Sequence, residues 1–281
     1  MRALRFASSY GFKIGGATEE SILKNVKLLD NVSAERKNAE LCGFLMGKGC
    51  GDLMLKFAPV FTAVIPELGK TIGFDQLNPY HCFDIWEHTI HTVDNSPQVL
   101  AVRLAALFHD IAKPDTFSAD ETGTGHFYGH AEAGAEKTVQ IMRRLKSENK
   151  IISAVHDLVY YHDRPINENT LSVKKILGIM GEESFFMLLE LKKADILSQN
   201  AEYITRTKSL VKIKRIAEEI ISQKQCFKLS DLDVNGEILI SMGIPQGKQI
   251  GVILKDCMEK VMEGKLKNKK DDIIEYIKGT Y

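Results

Sequence analysis

The stretch "LAALFHDIAKP" (residues 104–114) joins an apolar run to the pair His109-Asp110, and Lys113-Pro114 follow. The apolar run predicts a buried helix over 98–111. Burying an imidazole beside a carboxylate is costly unless other groups pair with them. The rest of the chain is therefore expected to supply partners for His109 and Asp110.

Those partners are found among residues that share one property. All eight histidines lie between His81 and His162, and the two ends of the chain have none. Three histidines and one aspartate fall on the apolar faces of predicted helices, where their side chains are expected to point into the core: His88, His130, His162 and Asp195.

A helical bundle that receives His88, His109, Asp110 and Asp195 offers two nitrogen and two oxygen ligands, which suits a divalent cation. His130 and His162 are expected to complete a second metal site or to position a leaving group. The alternative is a set of core residues that are hydrogen-bonded separately. That alternative needs a separate explanation for the burial of each of these residues.

A metal held in this way lowers the pKa of a bound water and polarises a phosphoryl oxygen. The expected catalytic residues are Asp110 and Lys113, since Lys113 lies one helical turn after Asp110 and can steady phosphate charge. The alternative interpretation of Lys113 is a solvated lysine before a helix-ending proline. His81, His126 and Arg164 are further candidates for substrate contact.

Helix-period segments follow one another with few strand signals, so the predicted fold class is all-α. Helices are expected at 18–29, 33–46, 83–94, 98–111, 130–147, 150–162, 172–180, 183–200, 203–223, 248–264 and 270–278. Thr18 and Ser33 are the expected N-caps of the first two. A turn-rich segment, "DVNGEILISMGIPQG", occupies 233–247.

Composition excludes little. The 281 residues are 44% hydrophobic and 26% charged, and 37 Lys and Arg balance 37 Asp and Glu. Five scattered cysteines without CxxC spacing fit a reducing cytoplasm, and no apolar run has signal-peptide or membrane-spanning length.

The segment 203–228 is locally basic. Its candidate RNA-binding residues are Arg206, Lys208, Lys212, Lys214 and Arg215.

The pattern His88, His109-Asp110, Asp195 resembles the HD superfamily of metal-dependent phosphohydrolases. "NPYHCFDIWEHT" (78–89), "LAALFHDIAKP" and "GTGHFYGHAEAGAE" (123–136) resemble the HD domain of bacterial tRNA nucleotidyltransferases, the CCA-adding enzymes. "RALRFASSYGF" (2–12) with "VSAERKNAEL" (32–41) resembles the segment after that family's catalytic head. "VNGEILISMGIPQGKQIGVILKDCMEKVMEGKL" (234–266) resembles its tRNA-binding tail.

The resemblance implies a helical neck and body (1–72), an HD domain (73–200), a basic linker helix (201–228) and a tRNA-binding-like tail (229–281). The expected activity is hydrolysis of a phosphomonoester or a 2′,3′-cyclic phosphate on nucleotides or RNA ends. The expected cofactor is one or two divalent ions, with Mg, Mn, Ni, Co, Fe and Zn not distinguished. Tyr161 stands where some binuclear relatives have a second histidine.

The alternative is the tRNA-binding body and tail of a truncated or split CCA-adding enzyme. The chain contains no DxD pair near a Gly-Ser or Gly-Gly loop, so by itself it is not expected to add nucleotides. The expected partners are a phosphate substrate, tRNA, a separate nucleotidyltransferase head and a second copy of the chain; no membrane is expected. A purely structural metal site on a scaffold is a third interpretation.

Overall fold

The chain is predominantly helical, as a computed structural model that describes residues 1–281 makes plain. Its α-helices are α1 (Arg2–Tyr10), α2 (Gly16–Lys24), α3 (Ala34–Leu45), α4 (Gly51–Lys56), α5 (Ala58–Val64), α6 (Ile85–Asn95), α7 (Leu100–Phe108), α8 (Lys113–Thr116), α9 (His130–Arg144), α10 (Asn149–Tyr161), α11 (Thr170–Met180), α12 (Glu182–Leu197), α13 (Thr207–Ser222), α14 (Gly236–Ser241), α15 (Lys248–Met262) and α16 (Lys270–Thr280). Short 3₁₀ helices lie at Val26–Asn31, Pro66–Lys70, Ala201–Arg206 and Leu229–Asp231. The all-α prediction is confirmed.

Polar side chains begin several of these helices. Ser33 caps α3 by accepting the amide of Arg36, as the sequence predicts. Asp84 caps α6 by accepting the amide of Glu87 at 2.7 Å. The prediction for Thr18 is wrong, because α2 begins at Gly16 and Thr18 already lies within its first turn.

The chain divides into two compact units. The first contains 1–164 and 186–208, and the second contains 165–185 and 209–281. The domain boundaries predicted after residues 72, 200 and 228 stay predictions. No helix in either unit combines the length and apolarity that a lipid bilayer requires of a spanning segment.

The first unit is built around α7, in which residues 101–108 are all buried. Helices α6 and α10 pack against it, and α9 packs along α10. An aromatic core of Phe44, Phe61 and Trp86 lies beside them, with ring centroids 4.9 Å and 6.5 Å apart. Since each of α6, α7, α9 and α10 carries a predicted site residue or ends beside one, this packing brings those residues towards one interior.

A buried arginine on α7 ties three chain segments together. The Arg103 guanidinium donates to the carbonyl oxygens of Leu45 and Gly47 at 2.5 Å each, and to that of Ser96 at 3.2 Å. These carbonyls lie at the ends of α3 and α6, where helices leave acceptors without partners. Arg103 thus satisfies the backbone where three segments meet.

A small hairpin precedes α9. Strands β1 (Ser118–Ala119) and β2 (Gly125–His126) pair antiparallel, with Ser118 opposite His126. The Gly125 amide donates to the carbonyl of Leu77 at 2.7 Å. A Cβ at position 125 would lie 2.2 Å from the carbonyl oxygen of Gln76, so the hairpin fits against 76–77 only with glycine there.

Gly125→Ala is therefore expected to destabilise the protein by about 1–3 kcal/mol, because backbone atoms must move to admit the methyl group. Urea unfolding measures the change. Gly49→Ala is the matched control, since a Cβ at position 49 meets no atom within 4 Å, and its expected change is within about 0.5 kcal/mol. Equal midpoints for the two variants would contradict the close approach.

The second unit has its own hydrophobic core. Nine buried residues form it: Cys226, Leu232, Val234, Leu239, Ile253, Cys257, Val261, Ile273 and Ile277. They come mainly from α14, α15 and α16. Helix α14 lies inside the segment predicted to be turn-rich, and its N-cap is Asn235, which accepts the amide of Ile238 at 3.1 Å.

Candidate metal centre

Six side chains from five parts of the first unit meet in one buried cluster, here called the His/Asp cluster. It consists of His88 on α6, His109 and Asp110 just after α7, His130 at the start of α9, His162 just after α10, and Asp195 on α12. The four imidazoles and Asp110 are at most 8% exposed. The structure thus brings together every residue predicted for the two metal sites.

Asp110 lies between two pairs of imidazoles. Its Oδ2 atom is 3.5 Å from His88 Nε2 and 3.1 Å from His109 Nε2. Its Oδ1 atom is 3.6 Å from His130 Nε2 and 3.8 Å from His162 Nε2. Two groups of potential ligands, His88/His109/Asp110 and Asp110/His130/His162, therefore share one carboxylate. Asp195 adds an oxygen to the first group, with Oδ1 3.1 Å from His88 Nε2.

The tautomer of each ring follows from its backbone partner. The Nδ1 atoms of His109, His130 and His162 lie 2.8, 2.8 and 2.6 Å from the carbonyl oxygens three residues earlier. His88 Nδ1 lies 3.1 Å from the carbonyl oxygen of Ser198. A carbonyl only accepts, so Nδ1 carries the proton in all four rings, and a neutral ring leaves Nε2 as a bare lone pair.

In neutral rings these lone pairs face one another. His88 Nε2 and His109 Nε2 are 3.3 Å apart, and His130 Nε2 and His162 Nε2 are 3.2 Å apart. Two acceptors at that distance repel each other unless a cation lies near both. Asp110 Oδ2 is buried and makes no hydrogen bond. Imidazoles fixed through Nδ1 by carbonyls, with Nε2 converging on a carboxylate, are the arrangement of a metal-binding histidine set. The residues fit a divalent cation.

The charges within the cluster are strongly coupled. Burial acts to raise the pKa of Asp110, but His109 and Lys113 outweigh it and hold that pKa well below its usual range. Burial acts to lower the pKa of His109, and the Asp110 carboxylate overrides it and raises the pKa. Burial lowers the pKa of His162 to about 3, and His109 and His130 act in the same direction. His162 is therefore a neutral ring, as a metal ligand must be.

Lys113 lies at the edge of the cluster. Its Nζ atom is 2.7 Å from Asp110 Oδ2, though without hydrogen-bond geometry, and it donates to Gln76 Oε1 at 2.7 Å. The ammonium also lies 5.2 Å from the centre of the Phe127 ring. Lys113 is only 6% exposed, so its interpretation as a solvated lysine is wrong. Pro114 is the second residue of α8 and lies in the first turn of that helix.

His81 is adjacent to the cluster. Its Nε2 atom is 3.4 Å from Lys113 Nζ, and its ring packs edge-on against His88. Burial, together with the nearby Lys113 charge, lowers the pKa of His81 to about 3. Gln76, which no sequence motif marks, is the residue that holds Lys113. It lies in a loop and has no periodic pattern that could have revealed it.

The side chains of the other predicted substrate contacts pair with residues outside the cluster. His126 pairs with Asp120 at 2.9 Å and stacks on Tyr128. The guanidinium of Arg164 lies over the Tyr161 ring, 5.7 Å from its centre.

The predicted RNA-binding residues Arg206, Lys208, Lys212, Lys214 and Arg215 are all exposed. Lys208, Lys212 and Arg215 follow spacings of four and three and share one face of α13. Lys212 forms an ion pair with Glu168 at 2.8 Å.

A family model described as tRNA nucleotidyltransferase domain 2 matches residues 126–277, just over half of the chain. The chain belongs to this family. The matched range includes His130, His162 and Asp195 of the cluster, as well as α13 to α15 and most of α16.

Curated relatives agree with that assignment. The chain is 26% identical to the CC-adding tRNA nucleotidyltransferase of Thermus thermophilus over 96% of its own length and 64% of the relative. It is also 26% identical to the A-adding tRNA nucleotidyltransferase of Deinococcus radiodurans, over 92% of the chain and 62% of the relative. The chain thus spans less than two thirds of either relative.

A solved structure has the same fold. The CCA-adding enzyme of Bacillus stearothermophilus, crystallised with CTP, superposes with a TM-score of 0.68 at 18% identity. The similarity covers 99% of this chain and 60% of that one. At this level of identity the comparison establishes the fold alone.

Proposed function

We propose that this chain forms the tRNA-binding body and tail of a tRNA nucleotidyltransferase. The observation that carries the proposal is the extent of similarity: relatives named for adding nucleotides to tRNA match 92–96% of this chain. The sequence contains no DxD pair near a Gly-Ser or Gly-Gly loop. Nucleotide addition therefore depends on a head domain that supplies those groups.

Binding of tRNA is expected to use the exposed face of α13 formed by Lys208, Lys212 and Arg215. Replacing these three by alanine is expected to weaken tRNA binding. The slope of the logarithm of the association constant against the logarithm of salt concentration is negative. Its magnitude is expected to decrease by about 1 for each phosphate contact that is lost. Filter binding at several salt concentrations measures both quantities.

The matched control removes three exposed lysines elsewhere, Lys24, Lys27 and Lys146. Equal slopes for the two triple variants would show that α13 is only a solvated helix. Failure of the unmodified chain to bind tRNA at low salt would overturn the proposed function. A nucleotide-addition assay with the chain alone is expected to give no product.

A second function, metal-dependent phosphohydrolysis of the HD type, is favoured by one observation. The Nε2 atoms of His88 and His109, and those of His130 and His162, face each other at 3.2–3.3 Å and converge on Asp110. His88, His109, Asp110 and Asp195 would hold one divalent ion, and Asp110, His130 and His162 a second. Such an ion supplies a Lewis acid that polarises a phosphoryl oxygen and lowers the pKa of a water.

The chain's own residues define what kind of substrate fits. Lys113 places a buried ammonium beside the shared carboxylate and is held there by Gln76. An ammonium at that position attracts the negative oxygens of a phosphate and stabilises charge that develops on them. A phosphomonoester or a 2′,3′-cyclic phosphate on a nucleotide or an RNA end is the substrate class that this arrangement suits.

The test is an assay with p-nitrophenyl phosphate and 2′,3′-cyclic AMP in the presence of Mg²⁺, Mn²⁺, Ni²⁺ or Co²⁺. His109→Ala is expected to abolish hydrolysis, because it removes a ligand. His156→Ala is expected to leave it unchanged, since His156 is partly exposed and pairs with Asp157, which is not a residue of the cluster. Inactivity of the unmodified chain with every metal would end the hydrolase proposal and leave the proposal on tRNA binding intact.

A further inference from the structure

The C-terminal end of α10 is held by a lysine from another helix. The last carbonyls of any α-helix have no partner within the helix. At the end of α10, Lys192 Nζ donates to the carbonyl oxygen of His162 at 2.5 Å and to that of Arg164 at 2.8 Å. Lys192 lies on α12, and both of these hydrogen bonds are to backbone atoms.

One turn of α12 therefore contacts both halves of the His/Asp cluster, the half that contains His88 and His109 and the half that contains His130 and His162. Asp195, three residues after Lys192, reaches His88 Nε2 at 3.1 Å and belongs to the His88/His109 half. Lys192 contacts the backbone of His162, whose ring belongs to the other half. Residues three apart on a helix lie on one face, so both contacts come from the same side of α12.

We propose that Lys192 is a positioning residue that fixes the His162 ring by capping the end of α10. The inference rests on the proposed metal site and adds to it a residue that touches neither metal nor substrate. His162 follows the last residue of α10, and its Nδ1 bond to the carbonyl of Val159 exists only while the final turn keeps its helical geometry. Removing the cap frees that turn, and the Nε2 atom then leaves its place 3.2 Å from His130 Nε2.

Lys192→Met keeps an apolar stem of similar length and removes the donor. In protein stripped of metal, the expected result is faster amide exchange at 160–164 and loss of the slowly exchanging Nδ1 proton of His162, seen by imidazole NMR. In a Mn²⁺ titration, affinity for the half that contains His130 and His162 is expected to fall by about 10–100-fold. The half that contains His88 and His109 is expected to keep its affinity.

Two further variants separate positioning from general stability. Lys192→Arg is expected to restore the His162 signal, because a guanidinium can donate to two carbonyls, as Arg103 does in this protein. Lys193→Met, one residue away and exposed, is the matched control and is expected to change nothing. If Lys192→Met does not fold, the same measurements are made on Lys192→Gln, in which a weaker, neutral amide donor replaces the ammonium.

An unchanged His162 ring in Lys192→Met would overturn the proposal. So would equal loss at all four histidines, since that is the result of a merely structural role. If the unmodified protein binds no Mn²⁺, the proposed metal site fails, while amide exchange and the Nδ1 signal still decide the role of Lys192.

Discussion

Asp110→Asn is expected to abolish cation binding in both halves of the His/Asp cluster at once. The amide has the shape of the carboxylate but no charge, and each oxygen of Asp110 faces a different pair of imidazoles. Loss of metal affinity of at least about 100-fold is expected, because removing a shared ligand should cost more than removing a residue that only orients one. Calorimetric titration with Mn²⁺ measures it.

The same substitution is expected to destabilise the metal-free protein by about 3–5 kcal/mol, since it leaves the buried Lys113 ammonium without its counter-charge. Chemical unfolding in EDTA gives this value. Asp157→Asn is the matched control, because Asp157 also pairs with a histidine, but at the surface, and about 1 kcal/mol or less is expected. Undiminished metal binding in Asp110→Asn would contradict the shared-carboxylate arrangement.

Arg103→Ala is expected to lower the free energy of unfolding by about 3–5 kcal/mol and to leave the residues of the His/Asp cluster in place. The guanidinium supplies hydrogen bonds to the buried carbonyls of Leu45, Gly47 and Ser96. Each unsatisfied buried acceptor costs about 1–3 kcal/mol, and water entering the cavity offsets part of that cost. Urea unfolding followed by circular dichroism measures the loss.

Arg143→Ala, an exposed arginine on α9, is the control and should change stability by about 0.5 kcal/mol or less. Lysine at 103 should recover only part of the loss, because one ammonium cannot reproduce the planar set of donors. A variant Arg103→Ala as stable as the control would mean that these carbonyls find other partners.

Helical periodicity is what made the His/Asp cluster predictable. His88 lies on the face that carries Ile85 and Thr92, and all three are buried, so the direction of the imidazole could be predicted before any distance was known. The same reasoning placed His130 and His162. Which residues share an interior follows from the packing of α6, α7, α9 and α10.

Contacts that depend on tertiary structure left no such signal. Gln76 holds Lys113 through its side-chain amide oxygen, and Lys192 holds the backbone of His162 through its ammonium group. No spacing in the sequence marks a lysine that meets a carbonyl thirty residues away. The short helices α1, α4, α5, α8 and α14 also escaped prediction, since four to nine residues give few turns from which to recognise a periodic pattern. The Asn235 cap was the one local signal that could have revealed α14.

The backbone bonds of the four imidazoles have a consequence for the order in which the cluster forms. Three rings take their Nδ1 partner from the carbonyl three residues earlier, so their tautomers are set as soon as each local turn forms. His88 takes its partner from Ser198, 110 residues away, beside the helix that carries Asp195. Local folding alone therefore prepares His109 and His130. His162 depends in addition on the Lys192 cap from α12, so docking of α12 completes the set. An ion held by His88, His109, Asp110 and Asp195 would therefore tie α12 to the other helices of the cluster and slow its local opening.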